Sequence, residues 1–130
     1  SVNNSDPCPI GLDFRIYKEK NKKSCTSVGG LPDKTIDDLI RLNNSCDKAV
    51  GNCLVMITGG NETGHKSHGD GKPIVDLRFD QKLADYFQSE AVKQDFGIQE
   101  ICATYADRNY SHKCTGYYEA VRHLHVEFSL

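Results

Sequence analysis

The stretch "RHLHVEFSL", residues 122–130, alternates apolar and polar side chains. Successive side chains of a β-strand point to opposite faces, so this alternation is typical of a half-buried strand. His123, His125 and Glu127 are predicted to share one face. The apolar residues are predicted to face the core: Leu124, Val126, Phe128 and Leu130. The end of the chain therefore predicts a strand that carries two imidazoles and a carboxylate on its polar face.

A second strand is predicted at "PIVDLRF", residues 73–79. The same alternation puts Ile74, Asp76 and Arg78 on one face. The other face receives Val75, Leu77 and Phe79. A carboxylate inside an apolar strand is costly to bury unless it is paired or binds a metal ion. We therefore expect Asp76 to have a cationic or metal partner.

The remaining pattern predicts an α+β fold, with helices packed on a mainly antiparallel sheet. Further strands are expected at residues 13–17, 53–60 and 98–106. One helix is expected to start at Pro32 and Asp33 and to end at the Asn43–Asn44 pair. A second helix, residues 80–94, is expected to have Asp80 as its cap. The 130 residues suffice for a single domain, residues 1–130.

Charge and hydropathy give little support to a nucleic-acid or a membrane partner. Sixteen basic and eighteen acidic residues give a net charge of −2, and the basic residues cluster only in "YKEKNKK", residues 17–23. This argues against a nucleic-acid partner. No apolar stretch is long enough to span a membrane. The sequence carries no signal peptide, which predicts a mature or trimmed form, and we expect a monomer.

Cysteines and sequons predict a secreted glycoprotein. The six cysteines are spread along the chain without a C-x-x-C pair, which favours three disulfides in an oxidising compartment. The sequence alone leaves their connectivity open. Four N-x-S/T sequons are expected in loops that could hold a glycan. Their acceptors are Asn3, Asn43, Asn61 and Asn109.

The stretch "TGHKSHGDGKPIVDLR", residues 63–78, adds histidines ahead of the strand that carries Asp76. Zinc binds histidine nitrogen and aspartate oxygen, and catalytic sites combine three protein ligands with one position for water. One His and one Asp from this stretch, with one His from the last strand, would supply such a set. The residue types therefore predict a catalytic zinc site.

The stretches "SHGDGKPIVDLR" and "HLHVEF", with "MITGG" before them, resemble the zinc D-alanyl-D-alanine peptidase superfamily. That group includes peptidoglycan endopeptidases, phage lysins and the signalling domain of hedgehog proteins. The resemblance covers residues 53–130 and implies a hedgehog-like or peptidase-like fold. It further implies that His68, Asp76 and His125 bind Zn²⁺. In the same pattern His123 would act at the attacking water or the developing oxyanion.

The sequence departs from the family pattern at two points. Seven residues separate His68 from Asp76, one more than is usual in the family. The turn before His68 also lacks the arginine or glutamine that commonly binds the substrate carboxylate in the family, and Lys66 is the candidate replacement. His65 is either an alternative ligand or a neighbour of the ligands, and Glu127 is either an exposed strand residue or an acid or base.

These features predict a secreted zinc hydrolase of amide bonds. The resemblance implies a peptidoglycan-type substrate that contains D-amino acids. The absent carboxylate clamp favours an endopeptidase over a strict carboxypeptidase. The alternative is a non-catalytic zinc-containing binding or signalling module of hedgehog type. A third, weaker possibility is an effector or adhesin that is held together by disulfides and binds no metal.

Overall fold

The computed structural model describes residues 16–18, 31–59, 71–105, 108–114 and 123–130. Within these ranges the chain forms seven strands and three helices. Their order is β1 (Ile16–Lys18), α1 (Asp33–Val50), β2 (Val55–Gly59), β3 (Ile74–Arg78), α2 (Gln81–Tyr86), α3 (Glu90–Asp95), β4 (Glu100–Cys102), β5 (Thr104–Tyr105), β6 (Arg108–Asn109) and β7 (His123–Glu127).

The main sheet has the strand order β1-β2-β3-β7-β4. β1 pairs with β2 in parallel, and the other neighbours in this sheet are antiparallel. β5 and β6 form a small antiparallel hairpin. The predicted α+β class with a mainly antiparallel sheet is therefore confirmed. The pairing puts β7 in the interior of the sheet, between β3 and β4.

The core lies on one face of this sheet, as the alternation predicts. Leu124 and Val126 of β7 are fully buried, and Leu39 of α1 is fully buried in the same cluster. Leu130 departs from the prediction, since it is 78% exposed. β7 ends at Glu127, so Leu130 lies beyond the last paired residue, and no strand among the described residues pairs with it.

Helix α1 is longer than predicted, because it continues through the Asn43–Asn44 pair to Val50. It ends at Gly51, whose φ of 73° suits glycine and whose N–H donates to the Asp47 carbonyl. Asn43 consequently lies within the helix and is only 2% exposed. The prediction that this sequon acceptor sits in a loop is wrong.

The single helix predicted over residues 80–94 is in fact two helices. Asp80 caps α2 as predicted, since its carboxylate accepts from the Leu83 N–H at 3.1 Å. α2 ends at Tyr86, and Ser89 then caps α3 by accepting from the Val92 N–H at 3.4 Å. A serine that satisfies an N-terminal N–H favours a new helix start, which explains the break.

The strand predicted over residues 98–106 is also divided. β4 pairs with β7 in the main sheet, whereas β5 pairs with β6. Ala103 separates the two strands, and its carbonyl accepts from the Tyr110 N–H at 3.0 Å. β4 is therefore the short edge strand beside β7.

Two disulfides link the described elements. Cys46 in α1 is bonded to Cys53 just before β2, and Cys102 in β4 is bonded to Cys114. The prediction of paired cysteines is confirmed for these four residues. Cys8 and Cys25 lie outside the described residues. The second disulfide ties the edge strand next to β7 to the segment that follows β6.

Candidate metal centre

The pairing of β3 with β7 brings the polar residues of the two strands together. Asp76 lies directly opposite His125, and Arg78 lies opposite His123. The apolar residues of these strands face the core, so the polar ones share the opposite face of the sheet. The predicted meeting of a carboxylate with imidazoles is thus a property of the strand register.

Asp76 contacts both histidines of β7 through one oxygen. Its Oδ1 lies 3.1 Å from Nδ1 of His125 and 3.4 Å from Nε2 of His123. The side chains of Asp76 and His125 are 9% and 5% exposed, whereas that of His123 is 40% exposed. The cluster therefore has a buried pair at its base and one imidazole that solvent and small molecules can reach.

An irregularity in β2 adjoins Asp76. Ile57 pairs with Leu77, and Gly59 pairs with Asp76, the next residue back along β3. Thr58 is therefore an additional residue on β2 and forms a β-bulge. The Thr58 hydroxyl donates to the Asp76 main-chain carbonyl at 3.4 Å. Such bulges change the local direction of a strand and are common next to functional sites. Here the bulge lies on the strand beside the carboxylate.

Glu100 belongs to the same cluster, although the sequence reasoning missed it. This β4 residue is 8% exposed, and its Oε1 lies 3.3 Å from Nε2 of His125. Its sequence signal is weak, because Glu100 follows Gln99 at the polar start of the predicted strand, whereas Asp76 stands between Val75 and Leu77. A buried carboxylate that is paired in this way avoids much of its desolvation cost.

The His125 ring is consequently held between two carboxylates, with one at each nitrogen. A neutral imidazole carries a single N–H, so it can donate to Glu100 or to Asp76 but not to both. The other contact then needs either a second proton on the ring or a cation near the nitrogen lone pair. This arrangement of donors and acceptors is suited to a bound cation.

The atom separations also fit zinc. With Zn–N and Zn–O bonds of about 2.0–2.1 Å, two ligand atoms of a tetrahedral site lie about 3.3 Å apart. The 3.1 Å separation of Asp76 Oδ1 from His125 Nδ1, the two proposed ligand atoms that the structure describes, is close to that value. Asp76 and His125 thus have the chemistry and the spacing of two zinc ligands. His68, the third predicted ligand, lies outside the described residues.

A different group of candidate metal ligands lies close by. One ligand atom from each of Glu100, Cys102 and Cys114 falls within 4.8 Å of the others. The two sulfurs are joined in a disulfide, however. Zinc and similar ions bind the thiolate form of cysteine, so this group is not a metal site in the oxidised protein.

Three further residues were predicted near the site: His65, Lys66 and Glu127. His65 and Lys66 lie outside the described residues. Glu127 is half-buried at the far end of the polar face, opposite Ile74 on β3 and Glu100 on β4. Its position is compatible with the exposed-strand interpretation and assigns it no part in the contacts around Asp76.

A shifted pKa is found away from this cluster, on α3. Lys93 donates to Glu90 at 3.0 Å, and this hydrogen bond and the charge of the lysine lower the pKa of Glu90 below its ordinary value. The Glu90 side chain is 73% exposed. Glu90 is therefore an exposed glutamate outside the candidate site and suits a control substitution.

Comparisons with known proteins leave the family unassigned. The chain matches no family model, no curated protein and no solved structure. The resemblance to the zinc D-alanyl-D-alanine peptidases and hedgehog domains therefore stays a prediction from the motif residues. In the described part of the chain, no helix has the length and apolar character needed to cross a membrane.

Proposed function

We propose that this protein is a secreted, zinc-dependent hydrolase of amide bonds. The observation that carries the proposal is the convergence of His125 Nδ1 and His123 Nε2 on one oxygen of the buried Asp76. Two disulfides among the described cysteines support an oxidising, extracellular setting. The motif resemblance supports zinc as the metal and a peptide as the substrate.

In this proposal Asp76 and His125 hold the metal together with His68. When bound, zinc polarises the carbonyl of the scissile amide and makes water acidic enough to supply hydroxide near neutral pH. The burial of Asp76 and His125 supports the proposal, because buried side chains have few alternative positions and would hold a metal in one place.

His123 is the residue proposed to contact the substrate. Its Nε2 is 3.4 Å from Asp76 Oδ1, and its side chain is 40% exposed, so a substrate can reach it. A histidine at this position can hold the carbonyl oxygen as negative charge develops there, or it can pass a proton to the leaving nitrogen. Asp76 orients the His123 ring in either role.

The substrate class follows from the resemblance and is a peptide of bacterial cell-wall type that contains D-amino acids. The test is incubation of the zinc-loaded protein with purified peptidoglycan and with synthetic D-alanyl peptides, and chromatography of the released fragments. Protein stripped with a chelator is the control. The proposal expects fragments that appear with zinc and vanish after stripping.

Two outcomes would contradict the enzymatic proposal in different ways. Zinc binding without any cleavage would favour the non-catalytic binding module. Absence of zinc after reconstitution would exclude both metal-dependent functions and leave a domain that is stabilised by disulfides.

A further inference from the structure

Glu100 contacts the candidate metal centre from the side opposite Asp76. It lies on the edge strand β4, where its Cα is paired with Glu127 of β7, and its side chain reaches His125. Oε1 of Glu100 is 3.3 Å from Nε2 of His125, and Glu100 is 8% exposed. A buried carboxylate needs polar partners to offset its lost hydration, and the His125 imidazole is one of them.

The contact places a carboxylate acceptor at one of the two ring nitrogens of His125, Nε2. With the hydrogen on Nε2, the ring would donate to Glu100, and a neutral ring would then have its lone pair on Nδ1. Nδ1 is the atom that lies 3.1 Å from Asp76 Oδ1. The lone pair therefore points to the place where the carboxylate of Asp76 and a metal ion would meet. Without Glu100, the hydrogen could move to Nδ1 and donate to Asp76, which would block that nitrogen as a ligand.

We infer that Glu100 is a positioning residue that holds His125 in the Nε2–H tautomer and so selects Nδ1 as its metal-binding atom. This inference rests on the proposed function, since it concerns the same metal. In this role Glu100 acts through the His125 ring and is not itself a ligand. A carboxylate behind a metal-binding histidine also raises the basicity of the ligand nitrogen, which strengthens metal binding.

The neighbouring disulfide helps to fix the position of Glu100. Cys102 follows two residues later on the same face of β4, directly opposite His125, and it is fully buried. Its bond to Cys114 anchors a strand that has only one neighbour in the main sheet. The edge strand is thereby held where its carboxylate can meet the imidazole.

The test compares zinc affinity in three variants by competition with a chromophoric chelator. Glu100→Ala is expected to bind zinc about 10–100-fold more weakly than wild type, the usual effect of removing such a partner. Glu100→Gln keeps an oxygen acceptor of the same shape and is expected to lose less affinity. Glu90→Gln, the same change at an exposed glutamate on α3, is expected to bind zinc like wild type.

A second readout separates positioning from a merely structural role. Long-range ¹H–¹⁵N spectra of the zinc-loaded protein report which ring nitrogen of His125 carries the hydrogen, and wild type is expected to carry it on Nε2. Unfolding curves identify any variant that has lost its fold, and Glu100→Gln preserves shape and volume if Glu100→Ala does not fold.

Folded Glu100 variants with wild-type zinc affinity, or a wild-type His125 with its hydrogen on Nδ1, would overturn the inference while the metal site itself stands. A wild-type protein that binds no zinc is a different result, because it would overturn the proposed function as well. The affinity of wild type therefore tells the two failures apart.

Discussion

Asp76 and His125 face each other across the β3–β7 pair, with Oδ1 of the carboxylate 3.1 Å from Nδ1 of the imidazole and both side chains buried. Neither residue is near the other in sequence, and the antiparallel register alone brings them together. The contact supplies two of the three protein ligands in the proposed metal site, and His123 is its accessible neighbour.

Replacing Asp76 with Asn is expected to abolish zinc binding. An amide of the same shape lacks the negative charge that a carboxylate ligand brings to Zn²⁺. Zinc content after dialysis, measured by atomic emission, should fall from about one ion per chain to background. Asp37→Asn, the same change at an exposed position on α1, should retain full zinc content. Equal zinc content in both variants would show that Asp76 is not a ligand.

His123→Ala is expected to keep the metal and lose turnover. General acid–base or oxyanion assistance from such a residue accounts for about 10²–10⁴-fold in rate. The measurement is kcat on the best peptidoglycan-derived peptide, with zinc content determined on the same sample. His125→Ala is the paired variant and should lose the metal. If both variants cleave like wild type, the assignment of roles is wrong.

Much of this site could be predicted from residue periodicity. Alternation along residues 122–130 and 73–79 correctly separates the core face from the polar face, because period-two burial applies to any strand with one face in the core. The identity of the strand neighbours is not local information. Glu100 was missed for that reason: its role depends on β4 lying beside β7, which the order of elements along the chain does not specify.

Local boundaries were predicted less well where two signals compete. The Asn43–Asn44 pair resembles a helix end, yet tertiary burial of the apolar face of α1 carries the helix past it. At Ser89 the opposite occurs, because a capping side chain divides a segment whose apolar pattern is continuous. In both cases the pattern identifies the helix, and a single side-chain environment decides where it ends.

Leu124→Ala is expected to destabilise the protein substantially. Leu124 is fully buried on the core face of β7, and removing such a side chain costs about 2–5 kcal/mol through lost burial and the cavity left behind. Leu130→Ala is the matched control, because Leu130 is 78% exposed and its loss should change stability by no more than about 0.5 kcal/mol. Urea denaturation measures both. Equal midpoints for the two variants would contradict the assignment of the core face.

Expression in a glycosylating host is expected to modify Asn109 and leave Asn43 bare. Asn109 is exposed on the β5–β6 hairpin, whereas Asn43 is 2% exposed within α1, where a glycan is incompatible with the packing of the folded protein. Peptide mass spectrometry after enzymatic deglycosylation shows whether each of the two asparagines carried a glycan. Asn109→Gln should remove one glycan mass from the intact protein. A folded protein with a glycan on Asn43 would contradict the burial of that residue.

The central claim, that Asp76 and His125 bind one zinc ion, is tested most directly by anomalous diffraction from crystals of the zinc-loaded protein, recorded on both sides of the zinc absorption edge. The account predicts a single strong peak about 2.0–2.2 Å from Asp76 Oδ1 and His125 Nδ1. Two results would contradict it. One is a peak beside Glu100 and the cysteines, and the other is no peak in crystals grown with zinc in excess over protein.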